Sequence, residues 1–383
     1  MANILLLGAG TQSLAILPSL HKSRHTIVIL TGVHPNYGDK SRYVNKVYRY
    51  EPLSENEYIN QILNIVSSER IQVILPMGDD SAIILSKYKN LFEAQNVKTP
   101  SFKNFINGYD KNRLMTLCRN NGYPHPTTID LSKTPHDSVD VKNFKFPAML
   151  KPNCTTGGRG MLLVNNYNEF VSAYPTLHTT YGDYHLQKFI KPGGRQVKVQ
   201  LYVNERQELV ASSVMQKLRW YPNKAGSNCC AVSIKDDEII KICHHVLKDL
   251  KWIGFADFDT IEDSDTGELL IMEINPRLPA CIKNAIVAGV NWGEILVNDA
   301  LGLPQKKYSF KEGMYLRHLG LDILWWKNSD NKWHTKPSWF KFFGKNIQYQ
   351  DMSTVSDPMP FISGTFNNIK KLFDPDFKKS KQI

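Results

Sequence analysis

The first hundred residues alternate short apolar runs with amphipathic stretches. Ile4 to Leu7 is an unbroken apolar run closed by the turn Gly8, Ala9, Gly10, and Ser13 to Leu20 reads as the start of a helix. Ile27 to Leu30 is a second such run and Val73 to Met77 a later one, with helical spacing from Glu57 to Ser68 between them. Continuous apolar runs separated by helices predict strands buried on both faces, in an open doubly wound parallel sheet. Farther along, Phe146 to Lys151 reads as a strand and Tyr184 to Ile190 as a strand running into a linker. Gln196 to Val203 alternates, placing Gln196, Lys198 and Gln200 on one face, a pattern that also fits an exposed edge strand. Asp236 to Leu250 repeats its apolar residues at helical spacing, with His244 and His245 on or beside that face as structural rather than catalytic groups, and Ala285 to Leu301 predicts a closing helix.

Composition narrows the class. A chain of 383 residues, 42% apolar and 22% charged, is globular and long enough for two or three domains. No apolar run approaches the length of a membrane span. The N-terminal MANILLLGAG has no basic region ahead of its apolar stretch and reads as a first strand, not a signal peptide. Six cysteines without a C-x-x-C spacing fit reduced thiols, so a cytoplasmic location is expected. The net charge of +11 favours anionic ligands, but the lysines are scattered and Lys370 to Lys381 supplies much of the excess, so nucleic acid is not expected as a partner.

The most informative stretch is Leu269 to Arg277. The apolar run Leu269 to Met272 ends in Glu273, Asn275 and Arg277, which alternation sets on one face with Ile274 and Pro276 opposite. Upstream, Gly254 opens a second strand in which Asp257 and Asp259 share a face, and Asp263 to Gly267 supplies a turn that makes the two strands a hairpin with Asp259 beside Glu273. A carboxylate, an amide oxygen and a guanidinium on one face suit Mg²⁺ and phosphate. The pairing of G-x-x-x-x-D with M-E-I-N-P-R resembles the metal-binding hairpin of the ATP-grasp superfamily. The resemblance implies that Asp259, Glu273 and Asn275 bind two Mg²⁺ ions, with Mn²⁺ as a substitute, and that Arg277 is the arginine of the catalytic set. Asp257 is the alternative to Asp259 as first ligand.

Other stretches extend the resemblance. Asp110 and Lys111 before the helical Arg113 to Asn120 look like the opening of the ATP-grasp domain, where the lysine contacts phosphate. Phe146 to Lys151, followed by Asn153 to Gly160, resembles the strand and flexible phosphate-covering loop of the family. Glycines there let backbone N–H groups approach phosphate, with Thr155, Thr156 and Arg159 as added donors. Lys111, Lys151, Thr156, Gly157, Gly158, Arg159 and Gly160 are thus the implied phosphate contacts, and Gln187, Lys188, Phe189 and Ile190 the implied adenine contacts. Gln187 stands where many members have Glu, and Gly193 to Lys198 lacks the carboxylate usual for the ribose. Lys217 to Gly226 resembles a K-x-R-x-Y-P…G loop of the D-aspartate-ligase-like branch, making Lys217 and Arg219 candidates for acyl phosphate or carboxylate binding.

The resemblance implies a mixed α/β and α+β architecture. A Rossmann-like domain over 1–108 precedes an ATP-grasp domain over 109–305, whose two α+β subdomains hold ATP between them, with a lid at about 120–190. An aromatic, basic extension over 306–383 could pack as a small appended domain, dock a partner or lie on a membrane surface. Asp79 or Asp80, after the strand Val73 to Met77, is either an active-site group or a helix cap. The implied activity is ATP- and Mg²⁺-dependent ligation of a small carboxylate to an amine through an acyl phosphate, with a homodimer compatible. Bicarbonate activation, as in carbamoyl-phosphate synthetase and biotin carboxylase, is the alternative within the superfamily. An NAD oxidoreductase is disfavoured because Ser13 replaces the third glycine of the fingerprint and Leu30 to Gly32 offers no acid for ribose. A non-catalytic basic binding protein would leave the acidic hairpin without a purpose.

Overall fold

Four parallel strands form the N-terminal sheet in the order Lys46–Tyr50, Thr26–Gly32, Asn3–Leu7, Val73–Pro76. The computed structural model describes residues 1–51, 54–222 and 226–373, with side chains to 366. Asn223 to Ala225 of the basic loop therefore lie outside the described residues, as does much of the lysine-rich C-terminus. The apolar runs are buried on both faces. Leu5, Leu7, Val28 and Leu30 pack with Ile59, Ile62 and Ile65 of the helix Glu55–Ser68, while Ile4, Leu6, Ile27 and Ile29 pack toward Leu14, Leu17, Trp292 and Ile295. That second face carries the sheet onto the rest of the chain, through Tyr202 and Phe255. Lys46–Tyr50 was not foreseen, because its short polar alternation carries strand information only as an edge.

A small antiparallel sheet follows, ordered Thr128–Asp130, Tyr184–Lys188, Ala148–Pro152, Leu162–Val164. It has its own core, in which Leu150, Val164, Tyr184 and Leu186 meet Phe170 of the helix Tyr167–Tyr181. The third sheet has seven strands in the order Leu269–Asn275, Gly254–Glu262, Gln196–Val203, Leu209–Tyr221, Ser227–Ser233, Tyr315–Arg317, Ile347–Tyr349. Val197, Val199, Leu201, Ala256 and Phe258 bury its outer face against Ile239, Cys243, Val246 and Leu247 of the helix Asp237–Asp249.

Three expectations change. Gln196–Val203 is an interior strand, paired on both sides, so its Gln196, Lys198, Gln200 face looks into the protein and not off an edge. The closing helix is two helices, Lys283–Val287 and Trp292–Ala300, interrupted at Gly289. That glycine has φ +112, and a Cβ there would stand 2.1 Å from the Ser309 carbonyl oxygen, so only glycine lets the chain turn at this point. The described part of 306–383 does not stand apart, since it contributes the last two strands of the large sheet and lays the helix Leu319–Asn328 over Leu209–Tyr221. Among the described residues no helix is long and apolar enough to cross a membrane.

The C-terminal segment is held by a buried ionic knot. Asp322 accepts from Arg219 Nε at 2.7 Å and Nη2 at 2.9 Å, and from Arg317 Nε at 2.7 Å. Arg219 Nη1 also donates to the Pro337 carbonyl at 2.9 Å, and Arg317 Nη1 to that of Lys341 at 2.8 Å. Trp325 lies under the Arg219 guanidinium, and Phe342 under that of Arg317. Removing the carboxylate strands two buried cations, so Asp322→Ala is expected to cost about 3–5 kcal/mol of folding stability. Urea denaturation checks this, and a loss near zero would show that the knot is not holding the segment.

Candidate functional site

The acidic hairpin forms as its alternation requires. Asp257 pairs across from Asn275 and Asp259 from Glu273, with a bulge between Asp259 and Thr260. The turn closes through Gly267 N–H donating to the Asp263 carbonyl at 2.7 Å, and Asp263 receives the Lys188 ammonium at 2.6 Å. The third strand completes the face: Gln200 lies opposite Asp257 and Lys198 opposite Asp259.

This face is dense with opposite charges. Lys198 Nζ, buried with its side chain only 9% exposed, donates to Asp257 Oδ2 at 2.7 Å and Asp259 Oδ2 at 2.8 Å. Asp257 Oδ1 accepts from Gln200 Nε2 at 2.9 Å. Lys217 approaches Asp259 Oδ1 at 3.3 Å, and Asn275 Nδ2 donates to Asp259 Oδ2 at 3.0 Å. Lys111 Nζ lies 3.3 Å from Glu273 and donates to the Thr155 carbonyl at 2.7 Å, tying the hairpin to the glycine-rich loop. Burial pushes the Asp257 carboxyl up against the pull of Lys198. Burial acts the same way on Asp259, but Lys198 and Lys217 outweigh it and hold that carboxyl below the usual range. Burial would lower Lys198, and the two aspartates reverse this and raise it.

Arg277 turns toward the N-terminal sheet, donating to Asp79 Oδ2 from Nε at 3.3 Å and Nη2 at 3.2 Å. The helix Asp79–Lys87 begins after Gly78, so Asp79 is not the cap residue; it sits at the carboxyl end of the parallel sheet, where such folds receive ligands. On the small sheet, Lys151 Nζ donates to Gln187 Oε1 at 2.6 Å, and His185 Nδ1 lies 2.8 Å from Asn153 Oδ1. Lys188, Phe189 and Ile190 leave this sheet at the crossing to the hairpin, where Lys188 N–H donates to the Thr127 carbonyl at 2.8 Å. In the loop, Gly157, Gly158 and Gly160 have φ of 67°, 75° and 74°, which L side chains rarely adopt. Arg159 folds back on the loop, with Nε donating to the Thr156 carbonyl at 3.2 Å and Nη2 meeting Thr156 Oγ1 at 3.1 Å.

The structure thus brings Lys111, Lys217, Asp259, Glu273 and Asn275 together, with Arg277 joining the same hairpin to Asp79. Arg219 is the correction. A register shift after Lys217 and the helix over this end of the strand carry its guanidinium into the Asp322 knot, so it is engaged in folding instead of facing a substrate. Lys198 was missed as a site residue. Its alternation was visible, but the strands on either side of it were not. The donor set suits Mg²⁺: Asn275 commits its NH₂ to Asp259 and to the Asp257 carbonyl, so its own carbonyl oxygen is the atom it can offer a cation, alongside the Glu273 carboxylate of the same strand. Among the described residues no three His, Cys, Asp or Glu side chains form a metal cage. An ion here would draw its other ligands from phosphate and water, as Mg²⁺ commonly does.

Lys151 generates a pH prediction. Burial lowers its ammonium to about 8 from the ordinary 10.5 of a lysine. Below pH 8 folded and unfolded chains both hold the proton, and the cost of burying the charge is constant. Between about 8 and 10.5 the folded chain releases it first, so the unfolded state binds more protons and stability rises with pH. Relative to Lys151→Met, the wild type is expected to gain on the order of 3 kcal/mol across that window. Denaturant midpoints of both proteins from pH 7 to 10.5 check it, and a constant difference would refute the assignment.

Two family models match the chain. The model described as PylC-like, N-terminal domain, covers residues 4–99, and that of the carbamoyl-phosphate synthase L chain ATP binding domain covers residues 110–289. The chain is similar to the carbamoyl phosphate synthase large chain of Clostridium beijerinckii, with 22% identity over 289 residues, 71% of this chain and 25% of that protein. It thus spans about a quarter of the length of the curated relatives it matches. Its fold is similar to that of a biotin carboxylase from Campylobacter jejuni solved as a β,γ-ATP complex, with TM-score 0.65, 18% identity, and coverage of 82% of this chain and 74% of that one. An L-amino acid ligase from Bacillus licheniformis is similar at TM-score 0.59, 15% identity, and coverage of 79% and 74%. With its N-terminal parallel sheet, its small antiparallel sheet facing an acidic hairpin, and these two matched models, the chain belongs to the ATP-grasp superfamily.

Proposed function

We propose that the chain is an ATP- and Mg²⁺-dependent ligase that joins a carboxylate to an amine through an acyl phosphate and releases ADP and phosphate. The observation that carries this reading is the meeting of Lys111 with both Glu273 and the glycine-rich loop, at 3.3 Å and 2.7 Å. One cation there spans the two elements between which a triphosphate would lie.

In this reading the loop from Asn153 to Gly160 closes over the phosphates through its N–H groups. Lys151 and Lys111 set their ammonium groups against phosphate oxygens, and Gln187 with the backbone of Lys188 to Ile190 receives the base. Glu273 and Asn275 would hold Mg²⁺, or Mn²⁺ in its place, with Asp259 beside them. The metal when bound neutralises phosphate charge and orients the triphosphate. The acid's carboxylate oxygen attacks the γ-phosphorus, the bond to the β,γ-bridging oxygen breaks, and ADP leaves. The amine then adds to the acyl carbon, phosphate departs with the carbon–oxygen bonding pair, and the amine sheds its proton. Phosphoryl transfer asks the protein mainly for position and charge neutralisation. Lys111, Lys151, Lys217 and Arg277 supply these, with Arg277 held by Asp79 near the carboxyl end of the N-terminal sheet.

Phosphate release from Mg-ATP, measured against amino acids, small carboxylic acids and bicarbonate, tests the reading. Release is expected to require one acid together with one amine, and to fall at least about 100-fold in Glu273→Ala. Release with bicarbonate alone would move the activity to bicarbonate activation. Failure to bind ATP would overturn the reading.

A further inference from the structure

We propose that Lys198 is a built-in counter-cation of the site and that the site therefore takes up a single divalent ion with its nucleotide, on Glu273 and Asn275, where the family resemblance implies two. This rests on the nucleotide-binding reading above and adds the metal count and the role of Asp259.

Lys198 belongs to the middle of the sheet. Its strand is hydrogen-bonded on both sides, its Cα stands opposite that of Asp259, and its ammonium bridges Asp257 and Asp259 at 2.7 and 2.8 Å. Asp257 is fully buried, and its two oxygens are taken by Lys198 and Gln200. An unpaired carboxylate in that position would be costly, which keeps the ammonium in place. Asp259 is committed as well. Its Oδ2 accepts from Lys198 and from the Asn275 amide at 3.0 Å, and its Oδ1 faces Lys217 at 3.3 Å.

Magnesium binds oxygen at about 2.0–2.1 Å and demands near-octahedral geometry. To ligate Asp259 Oδ2 it would have to expel two donors and set a doubly charged ion against a buried ammonium. Glu273 is less obstructed: its side chain is 31% exposed, and the ammonium it faces, that of Lys111, stands at 3.3 Å where Lys198 stands 2.8 Å from Asp259. Asn275 is a neutral ligand whose orientation is already set. The hydrogen bond from its NH₂ to Asp259 fixes the amide so that the carbonyl oxygen is the atom left for a cation. Asp259 is thus a positioning residue that orients a metal ligand, and the carboxylates Asp257, Asp259 and Glu273 each face an ammonium of the chain before any ion binds.

The test counts Mn²⁺ bound per chain from the loss of the free-ion electron paramagnetic resonance signal, with the protein saturated by a non-hydrolysable ATP analogue. One ion is expected for the wild type. Asp259→Asn keeps one ion with affinity within about threefold, since an amide cannot cost the site a ligand it did not use, whereas Glu273→Gln weakens the ion at least tenfold. Lys198→Met frees Asp259 and is expected to admit a second ion. Should that variant not fold, the wild-type count and the contrast between Asp259→Asn and Glu273→Gln decide the matter alone. Two ions in the wild type, or equal loss in those two variants, would overturn the proposal while leaving nucleotide binding intact. Failure of the analogue to bind would overturn the ligase reading and this inference with it.

Discussion

Carboxylates on the inner face of a β-sheet are tolerable only when cations meet them there. The hairpin of this chain sets Asp257, Asp259 and Glu273 on one face, with Asp257 shut off from water and the other two half-buried. Lys198 reaches the first two from the neighbouring strand, Lys217 reaches the second, and Lys111 reaches the third from the start of its helix. Desolvation and Coulomb attraction are both large in such a place, and their near balance lets a polar, charged face exist inside the fold. The register of three strands is what keeps them balanced, because a slip of one residue would turn every one of these groups to the other face.

The rest of the molecule brings other groups to that face. The parallel sheet packs through Tyr202, Phe255, Trp292 and Ile295, which puts the end of Val73–Pro76 and hence Asp79 within reach of Arg277. The small antiparallel sheet carries Lys151 and Gln187 on its own core, and it touches the hairpin through Lys111 to Thr155 and Lys188 to Asp263. The small sheet's core is self-contained, and polar contacts such as these join it to the hairpin.

The C-terminal segment solves a different problem. A long antiparallel sheet would end at Ser227–Ser233 with an open edge, and Tyr315–Arg317 pairs with it, followed by Ile347–Tyr349 in parallel. Asp322 between two arginines anchors the covering helix, and Asp357 returns to the N-terminal domain by accepting from Ser41 Oγ at 2.6 Å and Arg42 N–H at 3.0 Å. The segment therefore links the last strand of the large sheet to the first domain of the chain.

What the sequence determined by itself was local. The period of two in Leu269 to Arg277 was enough to put Glu273, Asn275 and Arg277 on one face, since the pleat alternates whatever surrounds it. Continuous apolar runs gave away the parallel strands, and the spacing of glycines marked the loop from Gly157 to Gly160. Tertiary structure decided which charges meet. Arg219 and Lys217 are two residues apart and looked equivalent, yet a register shift and an aspartate 103 residues away take Arg219 into the knot. Arg277 finds Asp79 across 198 residues, and Lys198 finds Asp257 across 59. Strand periodicity says where a side chain points. Only the order of strands in the sheet says what it points at, and that order is set by packing between parts of the chain that no local pattern connects.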